Sequence, residues 1–191
     1  GGERDLDHII MAASRGLDRA RLEYPNVRAG LILMMDRTFT AEQNGVIVEK
    51  AIRYSDRGVV GVDIAGPRPD GGRYPYRDLA PLVEDARAGG LGVTIHVGEE
   101  GGRHGIEEIG EVVEHLRPDR IGHGILAAKD EETMRALRET ETVLEVCPSS
   151  NLLTGALADE GELRETIRTF TERGVAFTIA TDGPEMMQTH L

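Results

Sequence analysis

Hydrophobic and polar positions alternate between two periods from one end of the chain to the other. Over residues 5–22, Ile9, Ile10, Ala13 and Leu17 recur at helical spacing and predict an amphipathic opening helix. The apolar run 27–35 reads as a buried strand. Thr40 and Gln43 form a capping box ahead of Val46, Ile47 and Ala51, so a second helix follows, with Gly58 as its stop. Residues 59–64 predict the next strand. Further helices are predicted over 78–88, with Asp78 as N-cap and Gly89 and Gly90 closing it, and along Ile106, Ile109, Val113 and Leu116. Two more cover 130–140 and the Leu163, Ile167, Phe170 face ended by Gly174. The apolar segments between them, 91–95, 120–122, 143–146 and 175–180, complete a set of six strands, each separated from the next by a helix.

Such alternation implies right-handed βαβ units and a parallel sheet, either an open doubly wound sheet or part of a β/α barrel. Neither G-x-G-x-x-G after a strand nor G-x-x-x-x-G-K-[ST] occurs, which removes the usual signs of a nucleotide-phosphate fold. Polar residues stand at the ends of several strands rather than at one switch point, and that favours the barrel. Residues 65–76, with three prolines and three glycines, form a loop over the same edge.

A length of 191 residues fits one domain, and the composition is that of an ordinary globular chain. A net charge of −12, spread along the chain, argues against phosphate contacts with nucleic acid. The single cysteine, Cys147, excludes an internal disulfide, reads as a small core residue and suggests a reducing compartment. No apolar stretch approaches the ~18 residues of a membrane span, and the opening G-G-E-R-D-L-D is not a signal peptide, so a cytoplasmic location with no membrane partner is expected.

The chemistry-bearing residues are His96 and Glu99 in T-I-H-V-G-E, His123 in R-I-G-H-G and Asp182 in T-D-G-P. Alone, each has a bland alternative: a core or loop histidine, a turn-forming aspartate. Together they place imidazoles and carboxylates at one sheet edge, the donor types of a catalytic zinc. Gly98 lets the chain turn after its strand and aims Glu99 at the pocket, where a partly buried carboxyl would serve as proton donor. Glu100 reads as solvated. His8 and His115 fall in helices, His104 in a glycine-rich loop and His190 near the terminus, and ordinary solvated roles are expected for all four.

The ordered set H-V-G-E (96–99), R-I-G-H-G (120–124), E-V-C-P-S-S-N (145–151) and T-D-G-P (181–184), with V-G-V-D-I-A-G (60–66), resembles the adenosine deaminase family of zinc amidohydrolases. The resemblance implies a (β/α)8 barrel with about six of its eight strands in this chain, Zn2+ as cofactor and a small purine substrate as partner. It implies that His96 and Asp182 ligate the metal, that Glu99 protonates the ring nitrogen beside the amino-bearing carbon, and that His123 orients and helps deprotonate the attacking water, with Asp182 sharing that proton. Gly66 would offer its backbone N–H to the purine. The product would be the 6-oxo compound and ammonia. Self-association into a homodimer is left open.

Two departures stand out. The family's H-x-H pair of metal ligands is missing, as though the chain began after the second barrel strand. Gly183 replaces the second aspartate of the usual T-D-D-P, which hydrogen-bonds the imidazole side of the purine. That puts plain adenosine in doubt and suggests a 6-aminopurine nucleoside with a large 5′ substituent, such as 6-aminodeoxyfutalosine of menaquinone synthesis, with Arg68, Arg73, Tyr74 and Tyr76 contacting its far end. Other readings are a zinc amidohydrolase acting on a ring amide, or a non-catalytic remnant of the fold serving as an interaction module.

Overall fold

The structure is a computed structural model that describes residues 3–67 and 75–188. The chain forms two compact units, Gly1–Val93 and Thr94–Leu191.

In the first unit, α1 (Glu3–Glu23) precedes β1 (Leu31–Asp36), α2 (Ala41–Arg53), β2 (Val59–Ala65) and α3 (Ala80–Ala88). β1 and β2 are parallel, with register from Leu31 opposite Val59 to Asp36 opposite Ala65. The predicted capping box is present: Thr40 Oγ1 accepts from the Gln43 N–H at 3.1 Å, and Gln43 Oε1 accepts from the Thr40 N–H at 2.9 Å. Asn44, buried on the same helix, exchanges two 3.0 Å hydrogen bonds with the backbone of Asp36 and so pins the end of β1. Lys50 is buried as well, and its ammonium meets the Asp7 carboxylate of α1 at 2.9 Å, the pairing that a buried lysine requires.

Several boundaries differ from the sequence pattern. β1 begins at Leu31, and Val27 is exposed outside it. The strand is not buried on both faces, because the two-residue alternation turns Ile32 and Met34 outward, each 48% exposed, while Met35 is fully buried. α2 ends before Gly58, which instead closes a short 3-10 turn in left-handed backbone (φ 99°). Asp78 is not an N-cap: Tyr76–Leu79 form a 3-10 turn, and α3 starts from Leu79 without a side-chain cap, with a proline in its first turn. Arg68, Arg73, Tyr74 and His190 lie outside the described residues.

The second unit runs β3 (Gly92–Val97), α4 (Arg103–His115), β4 (Arg120–His123), α5 (Glu131–Glu139), β5 (Val143–Val146), α6 (Pro148–Leu153), α7 (Glu160–Arg173), β6 (Phe177–Ile179) and α8 (Pro184–Met187). Its strands pair in parallel and in chain order, with Thr94 opposite Arg120, Arg120 opposite Val143, and Leu144 opposite Phe177. An order without reversal is the winding of a β/α barrel and lacks the switch point of a doubly wound sheet. Ile95, Val97, Ile121, Leu144 and Val146, on one side of these strands, are buried together with Ile109, Val112, Leu137 and Phe170 from the helices. β6 is shorter than its apolar run and partly exposed. His104 sits in the first turn of α4, not in a loop, 3.5 Å from Glu108.

Thr40 tests the first unit. Thr40→Ala removes one arm of the capping box and is expected to destabilise the chain by about 1 kcal/mol, read as a lower urea midpoint with an unchanged slope.

Candidate active site

The site is built from turns at the carboxyl ends of β3 and β4, the segment after β6, and the short helix α6. His96 lies inside β3, one residue before its end, and its imidazole packs against bare backbone. Its partner in the next strand is Gly122, where an added Cβ would sit 2.9 Å from the His96 ring. At Gly98 the chain turns with φ 71°, and a side chain there would overlap Ile109, so glycine is required on both counts. The Gly98 carbonyl accepts from the Leu126 N–H at 3.0 Å, which fixes the turn and presents Glu99, about one-quarter exposed. Glu100 is exposed.

His123 ends β4 in left-handed backbone, φ 63°, and Asp182 adopts φ 62° three residues beyond β6. Only five described non-glycine residues have positive φ, so finding two of them here marks the site as a place where backbone strain is tolerated. The Gly124 N–H donates to the Val97 carbonyl at 3.0 Å and joins the ends of β3 and β4. The His96 and His123 rings consequently meet edge to face, with centroids 5.4 Å apart at 66°.

α6 closes the cluster. Ser150 Oγ donates to Asp182 Oδ2 at 2.6 Å. The Asn151 amide nitrogen is 2.9 Å from His123 Nδ1 and 3.3 Å from Glu99 Oε1, and Thr154 Oγ1 donates to the same Glu99 oxygen at 3.1 Å. A carboxylate only accepts, so the NH2 end of the amide must face Glu99, and its second hydrogen goes to Nδ1. The neutral His123 ring therefore carries its hydrogen on Nε2, which lies 3.4 Å from Glu99 Oε2. Burial pushes the His123 pKa below the ordinary histidine value; the Glu99 and Asp182 carboxyl groups and the Asn151 amide oppose this, while His96 adds to it.

His96, His123 and Asp182 offer ligand atoms within 4.8 Å of one another. Imidazole nitrogen and carboxylate oxygen are the donors of zinc sites. Both nitrogens of His123 face partners already, which leaves His96 and Asp182 as the better-suited ligands, with Ser150 as the outer partner of the carboxylate. Cys147 adds no soft ligand or nucleophile: burial first, then the Asp182, Glu145 and Glu99 carboxyl groups, pushes its thiol up to about 12. Behind His96, Thr94 Oγ1 donates to Glu145 at 2.8 Å, and the Arg120 guanidinium is 3.8 Å from the same carboxylate.

His96, Glu99, His123 and Asp182 thus come together within the second unit. Gly66 stands at the end of β2 in the first unit with φ 101°, where a Cβ would lie 3.0 Å from the Asp36 carboxylate, and its carbonyl accepts from Arg37 Nη1 at 2.7 Å. Gly183 follows Asp182 at the start of α8. Ser150 and Asn151 lie in the E-V-C-P-S-S-N motif, to which the sequence assigns no role, and Thr154 lies outside it. The signal the sequence offers is Pro148, well suited to the first turn of a helix, followed by small polar residues beside a strand end.

The family profile described as adenosine deaminase matches residues 3–191. The chain belongs to the adenosine deaminase family. It is 34% identical over 185 residues to an adenine deaminase from Rhizobium leguminosarum bv. trifolii, covering 97% of this chain and 55% of that protein. It is 40% identical over 149 residues to an aminodeoxyfutalosine deaminase from Acidothermus cellulolyticus, covering 76% and 40%. Among solved structures, the N6-methyl-AMP deaminase of Arabidopsis thaliana superposes with a TM-score of 0.71 at 26% identity, over 84% of this chain and 44% of that one. The α/β fold with parallel strands is that of these barrel deaminases, and the chain spans about half the length of the curated relatives it matches.

Gly122→Ala tests the packing beneath the site. The methyl group must displace the His96 ring, so whatever affinity the site has for a divalent metal is expected to fall about 10–100-fold in a competitive chelator titration, with the far-UV circular dichroism spectrum retained.

Proposed function

We propose that this chain supplies the proton-handling part, and two of the metal ligands, of a zinc-dependent aminohydrolase that converts a 6-aminopurine compound and water into the 6-oxo compound and ammonia. The observation that carries the reading is the grouping of Glu99, held by two donors, with His96, His123 and Asp182 at one strand edge. His96 and Asp182 would hold zinc, with further ligands from an H-x-H pair outside these residues. Zinc, when bound, lowers the pKa of water from near 16 to ~7 and so supplies a nucleophile at neutral pH.

Glu99 would give its proton to the ring nitrogen beside the amino-bearing carbon, which draws electron density from that carbon and prepares it for attack. His123, neutral and with Nδ1 taken by Asn151, would turn its Nε2–H from Glu99 to the attacking water and so orient it; with its hydrogen on Nε2 it would not take the proton of that water, a narrower part than the resemblance implies. Asp182, with Oδ2 engaged by Ser150, would take one proton of the water and pass it to the departing amine, and the proton left on the new hydroxyl would return to Glu99 as the 6-oxo group forms. Gly66 would contribute its N–H to the purine.

Kinship with an aminodeoxyfutalosine deaminase, together with Gly183, supports a substrate larger than adenosine. Without a side chain at 183 the imidazole edge of the purine loses one hydrogen bond, about 1–3 kcal/mol. Contacts to a 5′ substituent would offset it.

The test uses the natural full-length protein: zinc analysis, then ammonia release from adenine, adenosine and 6-aminodeoxyfutalosine. Ammonia is expected, fastest from the last, and Glu99→Gln is expected to lower kcat by about 10²–10⁴-fold with zinc content unchanged. Zinc without ammonia from any 6-aminopurine points to another amidohydrolase, and no zinc points to a non-catalytic module.

Gly183 provides a second measurement. Its backbone (φ −95°) accepts any residue, and the nearest obstacle is the flexible end of Met186. Gly183→Asp is therefore expected to raise kcat/KM for adenosine by about tenfold, the worth of one hydrogen bond; unchanged adenosine turnover would remove Gly183 as a specificity determinant.

A further inference from the structure

We propose that α6 is a positioning device for the acid, acting through Asn151 and Thr154 to decide which oxygen of Glu99 carries the proton. The inference rests on the proposed deamination for its kinetic consequence but not for its geometry. Asn151 and Thr154 are three positions apart, so both fall on one side of the α6 turn and its C-terminal cap. Both donate to the same atom, Glu99 Oε1, at 3.3 and 3.1 Å. Oε1 is held as an acceptor by two hydrogens and has no room to present one of its own in that direction. Oε2 receives neither donor and has only His123 Nε2, at 3.4 Å, beside it. The proton delivered to substrate is thereby placed on Oε2, on the side of the carboxyl group that faces His123.

The cost of this arrangement shows in Asn151. Its side chain is fully buried, and Oδ1 has no hydrogen-bond partner among the described residues. An unsatisfied buried amide oxygen costs stability. Turning the amide over would set that oxygen against the carboxyl oxygen of Glu99 and the lone pair of His123 Nδ1, which is worse. The amide is thus held nitrogen-first by the two groups it orients, at the expense of its own carbonyl. Thr154, by contrast, is exposed, and its hydroxyl makes no second hydrogen bond among the described residues, so it can be removed without disturbing the core.

Thr154→Val keeps the shape and removes one donor, whereas Thr154→Ser keeps the donor. In the natural full-length protein, Thr154→Val is expected to lower kcat about tenfold with KM and zinc content within twofold of wild type, and Thr154→Ser is expected to restore kcat. A kcat for Thr154→Val within twofold of wild type overturns the proposal. The carboxyl 13C resonance of Glu99, assigned by its loss in Glu99→Gln, provides a readout independent of any substrate. It is expected to shift in Thr154→Val and to return in Thr154→Ser. An unmoved resonance rejects the positioning role even if no 6-aminopurine is deaminated, while a shifted resonance without ammonia from wild type rejects the deaminase reading and leaves the α6 contact standing.

Discussion

The site in the second unit depends on left-handed backbone at three of its strand exits. Gly98 after β3, His123 at the end of β4 and Asp182 beyond β6 have φ values of 71°, 63° and 62°. A parallel strand that continued straight would carry its polar end residue past the sheet edge into solvent. A left-handed step turns the chain back over the edge and lets the side chain stand above it. At Gly98 the step is free of Cβ strain; at His123 and Asp182 it is not, and costs of order 1 kcal/mol or more each. That strain persists because hydrogen bonds overdetermine it: Gly124 to the Val97 carbonyl, Leu126 to the Gly98 carbonyl, Ser150 to Asp182 and Asn151 to His123.

This constraint explains which parts of the molecule are legible in the sequence. Periodicity locates all six strands and one long helix between each pair, since burial of one helix face and of parallel strands writes itself into apolar spacing. The capping box at Thr40 and the stop at Gly174 are readable because a short-range hydrogen bond and a left-handed cap each demand a residue type. Gly98 is readable for the same reason. Asp78 misleads, because an aspartate ahead of a helix fits an N-cap and a 3-10 turn equally well, and Pro81 moves the α-helix start past it. β1 misleads in another way: a continuous apolar run implies burial on both faces, yet Ile32 and Met34 face outward.

Within the site, residue types with strong chemical character are legible and those that orient them are not. His96, Glu99, His123 and Asp182 declare themselves by being ionisable or metal-ligating at strand ends. Gly122 reads along the chain only as a neighbour of His123, although its close contact is with His96 across the strand pair, a relation set by register and invisible along one strand. Ser150, Asn151 and Thr154 belong to a helix of six residues and its cap, too short to show an amphipathic period. Their role emerges only when α6 is seen to reach Glu99, His123 and Asp182 at once.

The electrostatics of the cluster follow from those same partners. Glu99 and Asp182 are held by Asn151, Thr154, Ser150 and His123, none of which is a permanent cation. His123 could have become one, but burial keeps its imidazole on the neutral side. Arg120, at the opposite end of β4 from His123, lies against Glu145. Among the described residues, the hydrogen-bond partners of these carboxyl groups thus include no permanent cation, a donor set that a small divalent ion would complement. Such an ion between His96 and Asp182 would disfavour protonation of His123 further, since two positive charges at that spacing repel. Burial that keeps His123 neutral would thus also spare a cation at this edge the repulsion of an imidazolium.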